Sequence, residues 1–124
     1  MCALVGASLV RGTDFVFERV GLQQRLVGCG LVLTGEGELD RQSVTGKVVG
    51  AVVREARRAG VPVRALVGSV GAGVEDVLAA GLDGYHDLAS LAGSVEAARS
   101  EPERWLTLAA TRAVRAFLGQ ANPP

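Results

Sequence analysis

Residues 29–67 read CGLVLTGEGELDRQSVTGKVVGAVVREARRAGVPVRALV, and the fold class can be predicted from this part of the chain. Its first six residues, 29–34, form a short continuous apolar run, which is typical of a buried parallel strand. Residues 47–59 carry apolar side chains at helical spacing, with most charged side chains on the opposite side. Residues 63–67 form a second apolar run. The stretch therefore predicts a strand, a helix and a second strand, the unit from which parallel sheets are built.

The ends of this central helix carry recognisable signals. Thr45 is predicted to cap its start, and Gly60 is predicted to end it. Pro62 cannot extend a helix, so the chain is free to enter the second strand. Two short helices are predicted earlier in the chain, at residues 13–19 and 23–27, and no strand is predicted before Cys29.

The region after the second strand continues the alternation. A glycine-rich turn at residues 68–73 leads to a short helix at 74–80 and a weaker third strand at 84–88. The last helix is predicted at residues 103–118, because Ser100 and Glu103 have capping-box spacing and Gly119 is placed to end it. Residues 120–124 are predicted to be a loose tail.

The alternation of strands and helices predicts an α/β fold with three layers, in which a mainly parallel sheet carries helices on both faces. The whole chain, residues 1–124, is predicted to be a single segment of this kind. Three strands leave at least one sheet edge that needs cover. We therefore expect the segment to be part of a larger Rossmann-like domain, and to self-associate or to pair with a further N-terminal portion.

Composition excludes several classes of protein. The hydrophobic share of 48% argues against a disordered chain, and 13 basic residues balanced by 13 acidic ones argue against a nucleic-acid partner. No apolar run reaches the roughly 20 residues that cross a bilayer, and residues 1–10 lack the basic start of a signal peptide. Cys2 and Cys29 have no metal-ligand spacing and are expected to be buried in a protein of a reducing compartment. We expect a cytoplasmic protein without a membrane partner.

The segment 35–46 is predicted to be a loop about twice the usual length of roughly 2–6 residues between a strand and a helix. Gly35 and Gly37 bracket Glu36, so the backbone can come close to a ligand. Glu36, Glu38 and Asp40 alternate, and in an extended stretch all three carboxylates would project to one side. Such a cluster favours a cation, and Mg²⁺ with bound phosphate is the natural candidate.

The other end of the loop favours an anion. Lys47, the only lysine of the chain, lies at the first turn of the central helix, where backbone N–H groups attract negative charge. Gln42, Ser43 and Thr45 add neutral donors. Phosphoryl transfer uses both kinds of group, the carboxylates and the phosphate-binding donors, since it depends on positioning and charge stabilisation. A carboxylate such as that of Asp40 is suited to orient or deprotonate a substrate hydroxyl.

Two other interpretations of this segment were considered. A polar surface loop with a capping Thr45 and a solvated Lys47 is the alternative on composition alone. A P-loop is excluded, because Arg41 stands where that motif requires glycine and Val48 replaces its serine or threonine.

The pattern Thr34-Gly-Glu-Gly-x-x-Asp-x-Gln-Ser-x-x-Gly-Lys47 resembles the signature of the bacterial glycerate kinase family, of the glycerate 2-kinase/3-kinase type. The context is similar too: a Leu-Val-Leu strand precedes it, a helix ending at Gly60 follows, and then comes Val-Pro-Val-Arg-Ala-Leu-Val-Gly68. The resemblance extends from about Gly12 to Leu118, nearly the whole chain.

The resemblance implies a two-domain α/β enzyme that phosphorylates a hydroxyl of D-glycerate with ATP and Mg²⁺. It also implies that this chain is the C-terminal portion of a longer protein with an N-terminal Rossmann-like part. Asp40 and Lys47 would be catalytic, and Glu36 and Asp40 would be candidate metal ligands. The positions carried over for substrate or phosphate binding are Thr34, Gly35, Glu36, Gly37, Gln42, Ser43 and Gly46.

One position departs from the family's pattern, since Glu38 stands where the family often carries arginine. A catalytically inactive remnant that retains phosphate or nucleotide affinity, or an assembly module, is therefore the alternative function. A third hypothesis, an unrelated nucleotide-binding α/β domain, is supported only by the glycine-rich loops.

Several residues outside this segment are weaker candidates. The segment 68–73 could form a phosphate nest or simply a tight turn with Gly73 at a helix start. His86 is expected to be structural, Trp105 is expected to pack, and Arg54, Arg57 and Arg58 are expected to form a solvated helix face.

Overall fold

Three parallel strands organise the molecule, whose computed structural model describes residues 8–121. Strand β1 (Val32–Leu39) pairs with β2 (Val63–Val70), and β2 pairs with β3 (Tyr85–Asp87), so the sheet order is β1-β2-β3. The described helices are α1 (Gly12–Val20), α2 (Leu22–Leu26), α3 (Val48–Ala59), α4 (Val74–Ala79), α5 (Leu88–Ala92), α6 (Val95–Ser100) and α7 (Pro102–Ala121). The predicted α/β fold with a parallel sheet is confirmed; its place in a larger domain stays a prediction.

Helices cover both faces of the sheet because the side chains of β2 alternate between two apolar clusters. Val63, Ala65 and Val67 pack with α3, whose Val49 and Val53 are almost completely buried. Leu66 points to the other face and packs against a cluster formed by α5, α6 and α7. Burying a valine side chain contributes about 1.5–3 kcal/mol, so the α3 layer is a major source of stability.

The predicted start of α3 is wrong in one detail, and its predicted end is confirmed. Lys47, not Thr45, is the N-cap residue, and its side chain makes no capping hydrogen bond. Thr45 instead ends the short 3₁₀ turn Arg41–Val44 that precedes α3. Gly60 ends the helix in the left-handed conformation, with a φ of 70° that favours glycine.

The predicted long loop at 35–46 is wrong for its first half. Strand β1 continues through residues 35–37 to Leu39. Asp40, the 3₁₀ turn Arg41–Val44 and residues 45–47 then connect β1 to α3. Likewise, β2 continues to Val70, so the predicted turn at 68–73 is reduced to residues 71–73. Backbone pairing extends both strands together, since Glu38 lies opposite Ser69 and Leu39 opposite Val70.

The C-terminal region also differs from prediction. Helices α5 and α6 were not predicted, because each is only five or six residues long. Helix α7 does not end at Gly119 but includes Gln120 and Ala121, which contradicts the predicted tail for these two residues. Ser100 does not cap α7, since its hydroxyl donates to the Ala97 carbonyl oxygen at 2.8 Å. The rest of the predicted tail, residues 122–124, lies outside the described residues.

The remaining expectations concern the N-terminal part and the cysteines. Both short helices predicted there are present as α1 and α2. Cys29 is exposed, so its predicted burial is wrong; its thiol donates to the Arg25 carbonyl oxygen at 2.9 Å. Cys2 and residues 1–7 lie outside the described residues. Over residues 8–121, none of the helices combines the length and apolar character needed to cross a membrane.

Candidate functional site

The turn between β1 and α3 is held by a reciprocal pair of hydrogen bonds. The carboxylate of Asp40 accepts from the Gln42 backbone N–H at 2.9 Å. The Ser43 hydroxyl oxygen accepts from the Asp40 backbone N–H at 3.1 Å. This arrangement is a capping box, which satisfies backbone donors at the start of the 3₁₀ turn. Because both bonds are local, residues 40–43 fix the position of the Asp40 carboxylate.

Ser43 joins this turn to the acidic residue in the middle of the motif. Its side chain is fully buried, and its hydroxyl donates to Oε1 of Glu36. The other carboxylate oxygen, Oε2 of Glu36, is buried and has no hydrogen-bond partner among the described residues. An unpaired buried acceptor costs about 1–3 kcal/mol, so such an atom calls for an explanation. A bound cation or donor would supply the missing partner.

Lys47 is tied to the same turn. Its Nζ donates to Oδ1 of Asp40 at 3.1 Å and to the Glu38 backbone carbonyl oxygen at 2.9 Å. The hydrogen bond from Lys47 is the main reason that the pKa of Asp40 lies below its ordinary value of 3.8. Burial opposes this shift, while the charge of Lys47 and the backbone N–H groups of Gln42 and Ser43 add to it. Asp40 is therefore a carboxylate, paired with a positioned cation, at neutral pH.

The three alternating acidic residues do not form a single cluster. Glu36 and Asp40 both contact Ser43, whereas Glu38 lines a separate cavity together with Gly68, Ser69 and further residues. No group of three aspartate, glutamate, histidine or cysteine side chains in residues 8–121 is arranged to hold a metal ion. A cation here would have one or two carboxylates as protein ligands.

The other predicted site residues divide into positioning and exposed ones. Thr34 and Gly35 lie in the middle of β1, opposite Ala65 and Leu66. A Cβ at Gly35 would overlap the Leu66 carbonyl oxygen, so this glycine allows the two strands to approach. Gly37, Gln42 and Gly46 are exposed, and the Gly46 N–H donates to the Gln42 carbonyl oxygen at 3.0 Å. Thus Thr34 and Gly35, the latter exposed as well, belong to the paired part of the strand, and Gly37, Gln42 and Gly46 lie near Asp40 and Lys47 in the chain.

A cavity of about 420 Å³ opens beside the start of α3. Thr45, Gly46 and Lys47 line it, and so do residues 11–13, Ala51 and Arg54. The free N–H groups at the start of a helix attract anions, and three cationic side chains around them strengthen that preference. The cavity is suited to a phosphate group.

Arg11, Thr13 and Arg54 were missed as site residues by the sequence interpretation. The sequence predicted that Arg54 belongs to a solvated helix face. In the structure its guanidinium forms an ion pair with the Asp14 carboxylate, at 3.4 Å. Its position seven residues after Lys47 was a usable signal, because two turns of helix return to the same face. No comparable pattern marks Arg11 or Thr13, which reach the cavity only through the packing of α1 near α3.

The weaker candidates lie mostly away from this turn. The predicted phosphate nest at 68–73 is wrong over its first half, because residues 68–70 belong to β2. Gly73 is the N-cap of α4, which agrees with the alternative prediction of a tight turn with Gly73 at a helix start. Trp105 packs against the cluster around Leu88, which confirms its predicted role. His86 lies in β3 and its Nε2 is buried with no partner in the described part of the chain. Arg57 and Arg58 are exposed, as predicted.

Comparison with known proteins identifies the family. The profile described as "Glycerate kinase family" matches residues 1–118. A glycerate kinase of Halalkalibacterium halodurans is 33% identical over 110 residues, which cover 89% of this chain and 29% of that protein. A glycerate 2-kinase of Escherichia coli is 33% identical over 98 residues, covering 79% and 26%. A glycerate kinase of Neisseria meningitidis is 40% identical over 79 residues, covering 62% and 20%.

The chain spans less than a third of the length of each of these relatives. The family match, in contrast, covers nearly all of the chain, including residues 34–47 with the buried Ser43 and the Asp40–Lys47 pair. The chain therefore belongs to the glycerate kinase family.

Proposed function

We propose that the protein to which this chain belongs phosphorylates a hydroxyl of D-glycerate, with ATP as the phosphoryl donor and Mg²⁺ as the metal. The observation that carries the proposal is the Asp40–Lys47 pair, 3.1 Å apart, at the start of α3. The pair brings a carboxylate and a mobile ammonium group to a helix start that favours phosphate. The relatives named glycerate kinase support the choice of acceptor.

Lys47 is proposed to bind the transferred phosphate together with the N–H groups of the first turn of α3. Its two hydrogen bonds, to Asp40 and to the Glu38 carbonyl oxygen, hold the ammonium group in place before a ligand arrives. A group positioned in advance loses less conformational entropy on binding and stabilises developing charge more effectively. Arg11 and Arg54 would add positive charge to the same cavity.

Asp40 is proposed to orient the hydroxyl of glycerate. Its lowered pKa keeps the carboxylate ionised, so it can accept a hydrogen bond from a hydroxyl, but it also makes the carboxylate a weak general base. Phosphoryl transfer depends mainly on positioning, so an orienting carboxylate is sufficient for this role. The lowered pKa thus favours orientation over deprotonation, the two roles that the sequence left open.

The residues present fit a magnesium ion. The unpartnered Oε2 of Glu36 is an acceptor near Ser43, and Mg²⁺ commonly takes one or two carboxylates together with substrate phosphates. Glu36 and Asp40 would hold the ion, which supplies neutralisation of phosphate charge when bound with ATP. The absence of a larger acidic cluster in residues 8–121 agrees with this mode of binding.

A coupled assay of ADP release from MgATP and D-glycerate tests the proposal. We expect turnover that falls at least a hundredfold in Lys47→Ala, because the transferred phosphate loses its cation. Arg115→Ala is the matched control, since Arg115 is an exposed cation on α7 away from the turn, and it should keep full activity. Turnover that survives Lys47→Ala would contradict the proposed site.

A phosphate-binding or nucleotide-binding module without turnover is the second candidate function. It is supported by Glu38, a negative charge at a motif position where the family often carries arginine. Thermal stabilisation by ATP or inorganic phosphate without ADP release, lost in Lys47→Ala, would support this second candidate. Neither turnover nor stabilisation would contradict both.

A further inference from the structure

A second cavity, of about 440 Å³, lies at the carboxyl ends of β1 and β2 on the side of α5, α6 and α7. Leu88, Val95, Ala98 and Pro102 give it an apolar wall. Ligand cavities in proteins usually occupy about 300–1,000 Å³ and combine apolar walls with a few polar groups. This cavity has both features, and neither Asp40 nor Lys47 lines it.

Two glycines create the floor of this cavity. Gly37 and Gly68 lie on neighbouring strands, and a Cβ at Gly68 would be only 2.6 Å from the Gly37 carbonyl oxygen. A Cβ at Gly37 would meet no atom within 4 Å, which means that it would project into open space. Gly68 therefore allows the two strands to lie close together, and Gly37 leaves the space beside it free of a side chain.

Three residues with polar side chains line this space: Glu38, Ser69 and Arg99. No ion pair joins Glu38 or Arg99 to another side chain in the described ranges, so both charges are available to a ligand. Gly71 leaves room for the Glu38 carboxylate, because a Cβ there would be 2.5 Å from Oε1. The cavity thus offers a carboxylate, a hydroxyl and a guanidinium against an apolar wall.

The cavity is separated from the phosphate-binding end by a single residue. The backbone carbonyl oxygen of Glu38 accepts from Lys47 Nζ, and Glu38 is also one of the residues that line the cavity. A ligand that binds Lys47 through a phosphate and fills this cavity with a second, partly apolar group would pass over Glu38. A nucleoside triphosphate has this form, since its base and ribose are joined to the terminal phosphate through a flexible chain.

We propose that this cavity binds the nucleoside of the phosphoryl donor, an inference that rests on the proposed use of a nucleoside triphosphate. The base buries its faces against the apolar wall, and the guanidinium of Arg99 stacks on it. The Glu38 carboxylate accepts hydrogen bonds from the ribose hydroxyls. Inorganic phosphate and glycerate lack an apolar surface to bury against this wall, so neither is the preferred occupant.

Adenosine, which carries no phosphate, is the probe that isolates this cavity. Titration of the full chain with adenosine, followed by calorimetry, should give saturable binding. Glu38→Ala keeps the backbone carbonyl that Lys47 uses but removes the ribose acceptor, and should weaken adenosine binding at least tenfold. Glu96→Ala is the matched control, because Glu96 is an exposed acid on α6 that does not line the cavity. It should bind adenosine as the parent chain does.

A second variant, Val95→Phe, fills the cavity from its apolar wall and should also weaken adenosine binding, with thermal melting as the check that the chain still folds. Absent adenosine binding, or binding that both variants leave unchanged, would overturn the inference. Displacement of adenosine by D-glycerate alone would also overturn it, because the cavity would then belong to the acceptor. A chain that binds adenosine but releases no ADP from MgATP and D-glycerate would contradict the proposed function and leave this inference intact.

Discussion

Gly50 shows how one residue without a side chain can set the geometry of the candidate site. It lies in the first turn of α3 and is buried. A Cβ at this position would overlap the backbone carbonyl oxygens of Ser43 and Val44. The 3₁₀ turn that carries Ser43 can therefore pack directly on the start of α3, and this contact places Asp40 next to Lys47.

Replacing Gly50 by alanine should destabilise the protein. Alanine normally stabilises a helix by roughly 0.5–1 kcal/mol relative to glycine, but here backbone atoms occupy the space that its methyl group needs. We expect the free energy of unfolding to fall by about 1–3 kcal/mol, as in other overpacked sites. Gly119→Ala is the matched control in α7, because no atom lies within 4 Å of its added Cβ, and it should melt at the same or a higher temperature. Equal stability of the two variants in urea unfolding would contradict the clash.

Strand β3 and helix α7 meet at the only histidine of the chain. The pKa of His86 lies below its ordinary value of 6.5, first because burial disfavours the charged imidazole, and then because of two neighbouring cations. Arg64 on β2 and Arg112 on α7 are these cations. His86 is therefore a neutral residue of the packing between the elements, and its predicted structural role stays a prediction until it is tested.

Protonation of His86 should weaken this packing. The unfolded chain binds the proton more readily than the folded one, so the free energy of unfolding should fall as the pH drops below 6.5 toward the lower folded pKa. A urea-unfolding series across this interval measures the effect. His86→Gln removes the titrating group and should flatten the dependence there. An unchanged slope in the variant would show that other groups cause it.

At the level of elements, the succession of strands and helices along the chain followed from apolar periodicity, and the C-terminal end of α3 followed from Gly60. The lengths of β1 and β2 could not be predicted in the same way. Gly35, Glu36, Gly37 and Glu38 have low strand propensity, and the sequence therefore predicted a loop. Pairing with β2 overrides that propensity because ladder hydrogen bonds use backbone groups that every residue carries.

The described part of the molecule exposes apolar surface, and β1 and β3 are the two edge strands of its sheet. Strand β1 pairs only with β2 within the described residues, so its outer edge offers free backbone groups. Leu33 on this strand is 39% exposed, and Phe15, Val16 and Val48 are about half exposed. Such edges and patches attract further strands or apolar partners.

The isolated chain should therefore self-associate as its concentration rises. Sedimentation equilibrium or light scattering over a concentration series measures this. Leu33→Lys places a charge on the edge strand and should shift the equilibrium toward monomer, because lysine on an edge opposes further pairing. Leu118→Lys, at an exposed apolar position of α7, is the control that should leave association unchanged. A strictly monomeric parent chain at the highest concentration would contradict the expectation.

The parallel α/β fold, the family and the importance of residues 34–47 could be predicted from the sequence, because apolar periodicity and a run of particular residue types are local properties of the chain. The arrangement of residues 34–47 depends on the tertiary structure. The tertiary structure extended β1 through pairing with β2, joined Glu36 and Asp40 at the buried Ser43, and brought Arg11 and Arg54 to the start of α3. It also opened the cavity above Gly37 and Gly68. These features depend on contacts between residues far apart in the chain, which side-chain patterns along a single stretch do not encode.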